Sequence, residues 1–448
     1  MRLITSVSGI RGVVGETLTP HLAADAAAAF ATFVGKGPIV IGRDSRQSGD
    51  MVRSAVISGL LACGCDVVDV GVCATPTTAM MVTRHKAAGG VMITASHNPK
   101  PWNGIKFFSA EGCAPPKPVA EKILGVLAAR DFRFMPTEKV GRLSCDDTAV
   151  TQHVEAVLKT VDAAAIRRRR FRVVLDSING GGAVGGRQLL EALGCDVVHV
   201  NGEPNGDFAH TPEPTAENLV DLTRQTREAG AAAGFAQDPD ADRLAIVDET
   251  GRYIGEEYTL VLAARQVLGR RRGNLAVNLS TSRMIDDLVA RHDGCAVYRS
   301  AVGEANVVDV MKRETCIFGG EGNGGVIDPR IVYVRDSLIS MALVLQLLTD
   351  EGRPLSQVVA DLPSYACVKQ KFECNPDRTA KILAAVRQAF ADEKTSDVDG
   401  LRIDWPDGWV HIRGSNTEPI MRVIAEARDE DRARALCARV RTVADGVG

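Results

Sequence analysis

The sequence lacks long hydrophobic runs and any marked excess of one charge. No window approaches the roughly 18 consecutive apolar residues that span a bilayer, and the first residues lack the apolar core of a signal peptide. Lysines and arginines number 53 against 56 aspartates and glutamates, a net charge of −3, whereas nucleic-acid-binding proteins are usually strongly basic. We therefore expect a cytoplasmic protein that binds neither a membrane nor nucleic acid.

The sequence also lacks a recognisable cysteine framework. Its 11 cysteines are scattered and odd in number. Cys63 and Cys65 stand one residue apart, with no CxxC pair or histidine beside them. Disulfide frameworks belong to small secreted domains, and zinc sites use closely spaced ligand pairs. We expect buried, reduced thiols here rather than disulfides or zinc ligands.

A strand–helix–strand pattern is present three times, with first strands at 38–42, 172–176 and 274–279. Hydrophobic residues make up 45% of the 448 residues and charged ones 24%, which excludes a disordered chain. The alternation predicts α/β units on mostly parallel sheets. From about residue 365 the strands and helices no longer alternate in this way, which predicts an α+β unit. The predicted units are 1–152, 153–252 and 253–364, which are similar to one another, and a smaller unit over 365–448.

The segment 180–185 matches the GxGxxG pattern of dinucleotide-binding folds, after a strand and before a helix. Glu203, after the next strand, stands where a ribose-binding acid would lie. A nicotinamide-dependent oxidoreductase is therefore one alternative. The polar residues 176–179 lengthen the loop ahead of the glycines, which favours another explanation.

Three aspartates alternate along one short segment: Asp238, Asp240 and Asp242. In an extended segment alternate side chains point the same way, so these carboxylates would repel one another unless a divalent cation lay between them. An EF-hand is excluded, because its sixth position must be glycine and is Arg243 here. The remaining alternative is an acidic turn paired with Arg243. We expect a Mg²⁺ site that leaves positions for a phosphate oxygen.

Ser96 follows the apolar strand 90–93. It lacks the GxSxG turn of an α/β-hydrolase nucleophile, and a serine hydroxyl needs activation. One way to activate it is to let it carry a phosphoryl group whose charge a nearby divalent cation neutralises. The alternative is a hydroxyl that only hydrogen-bonds within a turn. The presence of the aspartate segment favours the phosphoryl carrier.

Two further loops have polar residues suited to a phosphorylated sugar. The glycine-rich segment 319–325 contains Glu321 and Asn323, whose side chains can bond sugar hydroxyls. The segment 413–419 begins with Arg413, a residue type that binds phosphate through two parallel hydrogen bonds. Either loop alone would be an ordinary turn. Together with the serine and the aspartates they predict a cleft for a sugar phosphate.

These segments resemble the motifs of the α-D-phosphohexomutases, the family of phosphoglucomutase, phosphomannomutase and phosphoglucosamine mutase. The resemblance runs along the whole chain. The matching segments are 9–12, 42–46, 75–76, 94–99, 103–106, 238–243, 320–325 and 413–419.

The resemblance implies an α/β fold of four domains around a central cleft, with three similar α/β sandwich domains that have mixed sheets and a smaller α+β C-terminal domain. It implies that Ser96 is a phosphoserine and holds Mg²⁺ together with the three aspartates. It places Arg11, Lys106 and His97 among the catalytic residues. The residues implied to bind substrate are Arg243, Glu321, Asn323, Arg413, Ser415, Asn416, Thr417 and Arg422.

The activity implied by the resemblance is an isomerisation. Phospho-Ser96 gives its phosphoryl group to a hexose phosphate, a 1,6-bisphosphate forms and turns round, and the other phosphate returns to Ser96. A hexose 1,6-bisphosphate would be the activator, and the predicted conversion is glucosamine 6-phosphate to glucosamine 1-phosphate. The alternatives are a phosphomannomutase/phosphoglucomutase of broad specificity and a non-catalytic sugar-phosphate sensor. The predicted partner is the small phosphosugar, and the resemblance also allows a homodimer.

Two positions of the sugar loop depart from the family pattern. Many members have serine and histidine where this chain has Asn323 and Gly325. That histidine is often given a role in proton transfer, which here must pass to Lys106, to another group or to solvent. The loop resembles that of a bacterial and archaeal subgroup usually labelled phosphoglucosamine mutase.

Overall fold

The computed structural model describes residues 3–6, 9–415 and 419–447. The strands of this part of the chain form four separate sheets. We number the domains 1 to 4 by these sheets, in chain order. The limits between the units at 152, 252 and 364 stay a prediction. No helix in the described ranges is both long and apolar enough to cross a bilayer.

Domain 1 has a mixed seven-stranded sheet between two layers of helices. Its elements are β1 (Ile4–Ser6), β2 (Gly9–Val13), α1 (Pro20–Val34), β3 (Ile39–Arg43), α2 (Gly49–Ala62), β4 (Val67–Val72), α3 (Thr75–Arg84), β5 (Gly89–Ile93), β6 (Trp102–Ser109), α4 (Lys117–Ala129), a 3-10 turn (Thr137–Lys139) and β7 (Leu143–Cys145). The strand order is β1-β2-β6-β5-β3-β4-β7. Successive side chains of a strand point to opposite faces, so Ile39 and Ile41 pack with α1 and α2 while Val40 packs with α3.

Domain 2 has a four-stranded sheet in the order β11-β10-β8-β9. Its elements are α5 (Ala149–Leu158), α6 (Ala163–Arg169), β8 (Arg172–Asp176), α7 (Ala183–Ala192), β9 (Asp196–Val200), α8 (Val220–Glu228), β10 (Ala233–Gln237) and β11 (Leu244–Asp248). Strand β8 runs parallel to β9 and β10, and β10 pairs with β11 in the antiparallel sense.

Domain 3 has a four-stranded sheet of the same kind, in the order β13-β12-β14-β15. Its elements are α9 (Glu256–Arg270), β12 (Leu275–Asn278), α10 (Met284–Val289), β13 (Val297–Ser300), α11 (Glu304–Arg313), β14 (Phe318–Glu321), β15 (Gly325–Ile327), α12 (Ser337–Glu351) and α13 (Leu355–Ala360). Helix α12 is buried around its whole circumference over 337–348, as expected of a helix that is apolar on all sides. Its core is continuous with that of domain 2.

Domain 4 has a five-stranded antiparallel sheet in the order β16-β20-β19-β18-β17. Its elements are β16 (Ala366–Glu373), α14 (Pro376–Ala389), β17 (Lys394–Ser396), β18 (Leu401–Trp405), β19 (Gly408–Gly414), β20 (Ile420–Ala427) and α15 (Glu430–Asp445). This is the predicted α+β domain. The implied architecture, three α/β domains with mixed sheets and one α+β domain, is confirmed.

The strand pattern alone predicted mostly parallel sheets, and this was only partly correct. In each of the first three domains a parallel strand is followed by an antiparallel neighbour: β5 by β6, β10 by β11 and β14 by β15. The connecting segments 94–101, 238–243 and 322–324 are too short for the crossover that a parallel neighbour requires. These three equivalent turns hold the serine, the aspartates and part of the sugar loop.

The cysteines are all free thiols, as expected, but not all are buried. Cys145 and Cys367 are exposed, whereas Cys63 and Cys65 are buried. The two exposed thiols lie on the edge strands β7 and β16 of their sheets, where one side of the strand has no neighbour to cover it.

His411 joins domain 4 to domain 3. It is fully buried, its Nε2 lies 2.6 Å from the Asp399 carbonyl oxygen, and its Nδ1 lies 2.9 Å from the Ser280 hydroxyl. Nε2 donates to the carbonyl and Nδ1 accepts from the hydroxyl, which is the neutral form. Burial, reinforced by Arg413 and Arg402, lowers the pKa of His411 to about 4, although Asp399 opposes the shift.

We expect this contact to be sensitive to acid. The unfolded chain binds a proton at this site from about pH 6.5 downwards and the folded chain only near pH 4, so stability is present above 6.5 and is lost as the pH falls through this window. The shift corresponds to a loss on the order of 3 kcal/mol. The melting temperature of His411→Gln should therefore fall less steeply between pH 6.5 and 4 than that of the unchanged protein. The exposed His21 provides the control, and an equal flattening in His21→Gln would contradict the assignment.

Candidate active site

Ser96 lies in the turn after β5, where its backbone is constrained. Its φ is +50°, in the left-handed region that residues other than glycine avoid, and the residue is 1% exposed. Its amide N–H donates to Thr94 Oγ1 over 2.9 Å, and Thr94 Oγ1 donates to Asp44 Oδ2 over 2.6 Å. The Ser96 hydroxyl donates to Asp238 Oδ2 over 3.0 Å. The turn therefore presents the hydroxyl to the aspartates of domain 2.

Arg46 holds this turn in place, a role that the sequence analysis did not assign. Its buried guanidinium donates to the carbonyl oxygens of Ser96, Asn98, Pro99 and Trp102 at 2.6 to 2.9 Å. Only arginine has enough donors in one plane to satisfy so many acceptors. The motif 42–46 was the available signal, but which carbonyls its arginine meets depends on the folded turn.

The three aspartates converge, but they do so in a turn, with Ala241 at a φ of +54°, and not in the extended segment that the sequence predicted. One carboxylate oxygen from each lies within 4.8 Å of the others, and all three residues are buried. Asp240 Oδ2 accepts hydrogen bonds from Thr75 Oγ1 and Lys106 Nζ, each over 2.7 Å. Asp240 Oδ1 and Asp242 Oδ1 are buried and have no hydrogen-bond partner. Buried carboxylate oxygens are costly unless paired or bound to a metal, so this donor set fits a hard divalent cation.

The electrostatics of the aspartates indicate the same need for positive charge. Burial and the neighbouring carboxylates of Asp242 and Asp240 raise the pKa of Asp238 well above its usual value. Burial acts in the same direction on Asp240, but Lys106 and Thr75 hold the pKa of that carboxyl below its usual range. The cluster thus has one carboxyl more than its protein partners stabilise as an anion.

The structure brings four of the six predicted basic residues to the same place. Arg11, His97, Lys106 and Arg243 all line a cavity of about 280 Å³. Burial opposes the charge of Lys106, but Asp240 and Asp242 outweigh it and raise the pKa of this ammonium, which stays charged. Burial, with Arg243 and Arg11, lowers the pKa of His97 to about 3, so its imidazole is neutral. Its Nδ1 lies 3.4 Å from Ser96 Oγ.

Glu321 and Asn323 also line this cavity. Glu321 was expected to be available to sugar hydroxyls, yet protein groups already engage both of its oxygens. Oε1 accepts from Asn278 Nδ2 and from the Gly303 N–H, and Oε2 accepts from Arg335 over 2.7 Å. Asn323 Oδ1 is buried without a hydrogen-bond partner. Of these two side chains, Asn323 is therefore the one with an acceptor that no hydrogen bond occupies.

Arg335 was not recognised from the sequence and is central to the site. Its Nη2 donates to Asp242 Oδ2 over 2.6 Å, its Nη1 to Glu321 Oε2 over 2.7 Å and its Nε to Glu304 Oε2 over 3.1 Å. Burial alone would lower the pKa of Arg335, but Asp242, Glu321 and Glu304 raise it well above its usual value. No periodicity or short motif marks this residue.

The predicted phosphate loop of domain 4 is described in part. Asn416 and Thr417 lie outside the described residues. Arg413 and Arg422 are direct cross-strand neighbours on β19 and β20, and like charges in that position repel. Burial, opposed by Asp399 but reinforced by Arg422, lowers the pKa of Arg413, whose Nε has no hydrogen-bond partner. This pair suits an anion.

Arg413 and Arg422 do not line the 280 Å³ cavity. Arg413 Nη1 lies 3.7 Å from Asp399, which accepts a hydrogen bond from the Val302 N–H at the cavity wall. Ser415 belongs to the same turn, and its N–H donates to the Ile420 carbonyl oxygen. Arg413 and Ser415, which belong to the described part of this loop, therefore lie beside the cavity rather than within it.

The GxGxxG segment has a packing explanation. A Cβ atom at Gly181 would lie 2.6 Å from the Cys73 carbonyl oxygen of domain 1, and one at Gly180 would lie 2.7 Å from that of Pro239. The glycines let this turn approach both the aspartate segment and domain 1 without steric conflict. Little space is left there for a dinucleotide, which argues against the oxidoreductase alternative.

Family models for phosphoglucomutase/phosphomannomutase match the chain in four parts. The matched residues are 2–134 for alpha/beta/alpha domain I, 151–251 for domain II, 255–365 for domain III and 368–443 for the C-terminal domain.

Similar proteins are found among curated relatives and solved structures. A probable phosphoglucosamine mutase of Methanopyrus kandleri is 41% identical over 435 residues, covering 96% of this chain and 95% of that protein. A phosphoglucomutase/phosphomannomutase of Thermococcus kodakarensis is 38% identical over 435 residues and 95% of each chain. A phosphoglucomutase/phosphomannomutase family protein from Burkholderia thailandensis has a TM-score of 0.87 at 27% identity, over 99% of both chains. This chain is an isomerase and belongs to the phosphoglucomutase/phosphomannomutase family.

Proposed function

We propose that this enzyme is a Mg²⁺-dependent phosphosugar mutase that moves phosphate between C6 and C1 through a phosphoserine at Ser96. The observation that carries the proposal is the contact of the buried Ser96 hydroxyl with Asp238, beside two buried carboxylate oxygens that have no hydrogen-bond partner. A serine phosphorylated there would lie against a site for a divalent cation. Neither feature is needed for an ordinary turn.

Asp238, Asp240, Asp242 and the oxygen on Ser96 would hold the Mg²⁺. When bound, the cation supplies positive charge beside the phosphoryl group that is transferred. Lys106 and Arg11, which line the cavity, add fixed positive charge. Because the charge on a transferring phosphoryl group is the main obstacle in such reactions, these side chains suit that chemistry.

In the proposed first step the bond between phosphorus and Ser96 Oγ breaks, and a bond to the free hydroxyl oxygen of the sugar phosphate forms. In net terms one proton passes from that hydroxyl to Ser96 Oγ. The charged Lys106 is suited to donate a proton. The low pKa of the neutral His97 ring makes it a hydrogen-bonding neighbour of Ser96 rather than a base. A 1,6-bisphosphate results, and the reverse step at its other phosphate restores phospho-Ser96. Free hexose 1,6-bisphosphate would therefore load an unphosphorylated enzyme and act as activator.

The other phosphate of the substrate would be held by domain 4. Arg413, Ser415 and Arg422, with Asn416 and Thr417 of the same loop, are the proposed contacts. The turn-round of the bisphosphate requires this loop to release one phosphate and grip the other. Closure of the cleft would keep water from the phosphoserine.

Glucosamine phosphate is the proposed substrate. Several similar proteins carry the name probable phosphoglucosamine mutase, although another is named phosphoglucomutase/phosphomannomutase. The lining of the cavity also includes Asn323, whose Oδ1 is buried without a hydrogen-bond partner and is the acceptor that we propose for the amino group of the sugar. Broad activity on glucose and mannose phosphates is the alternative.

The test supplies glucosamine, glucose and mannose 6-phosphates separately, with Mg²⁺ and a trace of hexose 1,6-bisphosphate, and follows 1-phosphate formation by phosphorus NMR. A strong kcat/KM preference for glucosamine 6-phosphate is expected. Comparable rates on glucose and mannose would make the enzyme a general phosphohexomutase. Binding of all three without conversion would support a non-catalytic sensor, and release of free phosphate alone would indicate a phosphatase.

Replacing Arg413 with alanine should mainly weaken substrate binding. Loss of a charge-assisted phosphate contact costs about 1.5–3 kcal/mol, so KM should rise by a factor on the order of 10 to 100 with a smaller change in kcat. Steady-state kinetics measure both. Arg387→Ala is the control, since that arginine of domain 4 pairs with Asp397 on the surface. Unchanged KM and kcat in Arg413→Ala would remove the loop from the site.

A further inference from the structure

Arg335 joins two turns that belong to different domains. Asp242 is in the aspartate segment of domain 2, and Glu321 ends β14 of domain 3. One guanidinium donates to both, while its third nitrogen donates to Glu304 at the start of α11. In this arrangement the separation between Asp242 and Glu321 is set by the rigid plane of a single side chain.

The backbone around Arg335 is fixed on both sides. The N–H of Asp336 donates to the Val326 carbonyl oxygen over 2.8 Å, and that of Ser337 donates to the Ala241 carbonyl oxygen over 3.2 Å. The Asp336 side chain caps α12 through the Leu338 N–H. Because α12 is buried between domains 2 and 3, the start of this helix is held against the aspartate segment.

The absence of a side chain at Gly325 leaves space for the Arg335 side chain. A Cβ atom at Gly325 would lie 2.2 Å from Arg335 Cδ and 2.9 Å from Cγ. Gly325 is not among the glycines with positive φ, so its backbone conformation does not require glycine. Glycine is required there because the Arg335 side chain occupies the space that a Cβ atom would fill. The glycine that departs from the family pattern and the arginine that the sequence did not mark are therefore one structural feature.

We propose that Arg335 is a positioning residue that ties the metal-binding segment to the sugar-binding loop, and that position 325 is glycine in order to admit it. This inference rests on the proposed function for the roles of Asp242 and Glu321. Arg335 acts through these two carboxylates, so metal binding and sugar binding should weaken together when it is changed. Substitution of a residue that only stabilised the fold would not selectively weaken metal binding or sugar binding.

The first test is Arg335→Lys, which keeps the positive charge but loses the planar guanidinium that donates to three carboxylates. Partners of metal ligands typically contribute 10- to 100-fold in metal affinity or activity. Mg²⁺ affinity, measured by calorimetry without sugar, should fall by that factor, and KM for the sugar phosphate should rise as well. Arg265→Lys is the matched control, because Arg265 likewise contacts Glu351 and Asp361 but lies away from the cavity. Unchanged Mg²⁺ affinity in Arg335→Lys would overturn the proposal.

The second test is a double-mutant cycle between Gly325→Ala and Arg335→Ala. Gly325→Ala alone should displace Arg335 and reproduce the loss of Mg²⁺ affinity seen in Arg335→Lys. In the Arg335→Ala background the Arg335 Cδ and Cγ atoms are gone and Asn323 Oδ1 remains at 3.1 Å, so the same alanine should cost little further Mg²⁺ affinity. Equal losses in both backgrounds would overturn the steric link. If Arg335→Ala does not fold, the Mg²⁺ affinities of the Gly325→Ala and Arg335→Lys single variants still test the proposal.

The calorimetric readout separates this inference from the proposed function. If the unchanged enzyme converted no sugar phosphate, the mutase proposal would fail, while loss of Mg²⁺ affinity in Arg335→Lys would still support the tie to Asp242. If the enzyme is an active mutase and Arg335→Lys keeps both Mg²⁺ affinity and KM, only the inference on Arg335 fails.

Discussion

Ser96→Ala is expected to reduce mutase turnover by a factor on the order of 10⁴ to 10⁶, the range for removal of a covalent nucleophile. The reason is that no other hydroxyl occupies the hydrogen-bonded position beside Asp238 among the described residues. The variant keeps the same Cβ and the same backbone conformation, so the melting temperature should change little. Turnover is measured by phosphorus NMR and phosphorylation by intact mass.

The mass measurement makes the Ser96 prediction specific. After incubation with hexose 1,6-bisphosphate the unchanged enzyme should gain the mass of one phosphoryl group, and Ser96→Ala should gain none. Ser340→Ala is the control, since it also removes a fully buried serine hydroxyl, one that donates to the Asp336 carbonyl oxygen within α12. Full activity in Ser96→Ala, or a phosphoryl group on that variant, would place the carrier elsewhere.

Asp240→Asn is expected to lower Mg²⁺ affinity by at least about 100-fold, because a direct ligand should matter at least as much as the partners of ligands do. The substitution removes a negative charge from a cluster in which Asp240 Oδ1 has no protein partner. It also weakens the anchor of Lys106, whose ammonium lies 2.7 Å from Asp240 Oδ2. Activity should therefore fall even at saturating Mg²⁺.

Calorimetric titration of Mg²⁺ and activity against Mg²⁺ concentration measure the two parts of this prediction. Asp248→Asn is the matched control. Asp248 is also a buried aspartate of domain 2, but it accepts hydrogen bonds from Thr250 and Arg252 in the turn after β11. The Asp248→Asn variant should be less stable than the unchanged enzyme but should bind Mg²⁺ with the same affinity. The same metal dependence in Asp240→Asn as in the unchanged enzyme would exclude this segment as the site.

The sequence by itself determined the local chemistry. The i, i+2, i+4 spacing of Asp238, Asp240 and Asp242 predicted that their carboxylates would converge, and the structure brings one oxygen of each within 4.8 Å of the others. The position of Ser96 directly after an apolar strand predicted a turn at a strand end. The convergence held although the segment is a turn, with Ala241 at a φ of +54°, and not the extended segment that was predicted. The carboxylates meet because they are close neighbours in the chain, which a sequence displays.

The sequence misled where a pattern has more than one physical cause. GxGxxG at 180–185 is the pattern of a phosphate-binding turn, but here its glycines allow close packing against Cys73 and Pro239. Glu321 lines the cavity, so its predicted role in sugar binding stays a prediction, but Asn278, Gly303 and Arg335 also engage its carboxylate. The same residues can serve either purpose, and only their neighbours in space distinguish the two.

The tertiary structure alone decided which distant residues meet. The serine, the aspartates and the sugar loop come together because three similar domains place them in equivalent turns. Arg46 finds its carbonyl oxygens in the folded Ser96 turn, and Arg335 reaches Asp242 across a domain boundary only because α12 is buried beside that segment. Such contacts depend on how layers of helices and sheets pack, and packing joins residues that no local period connects.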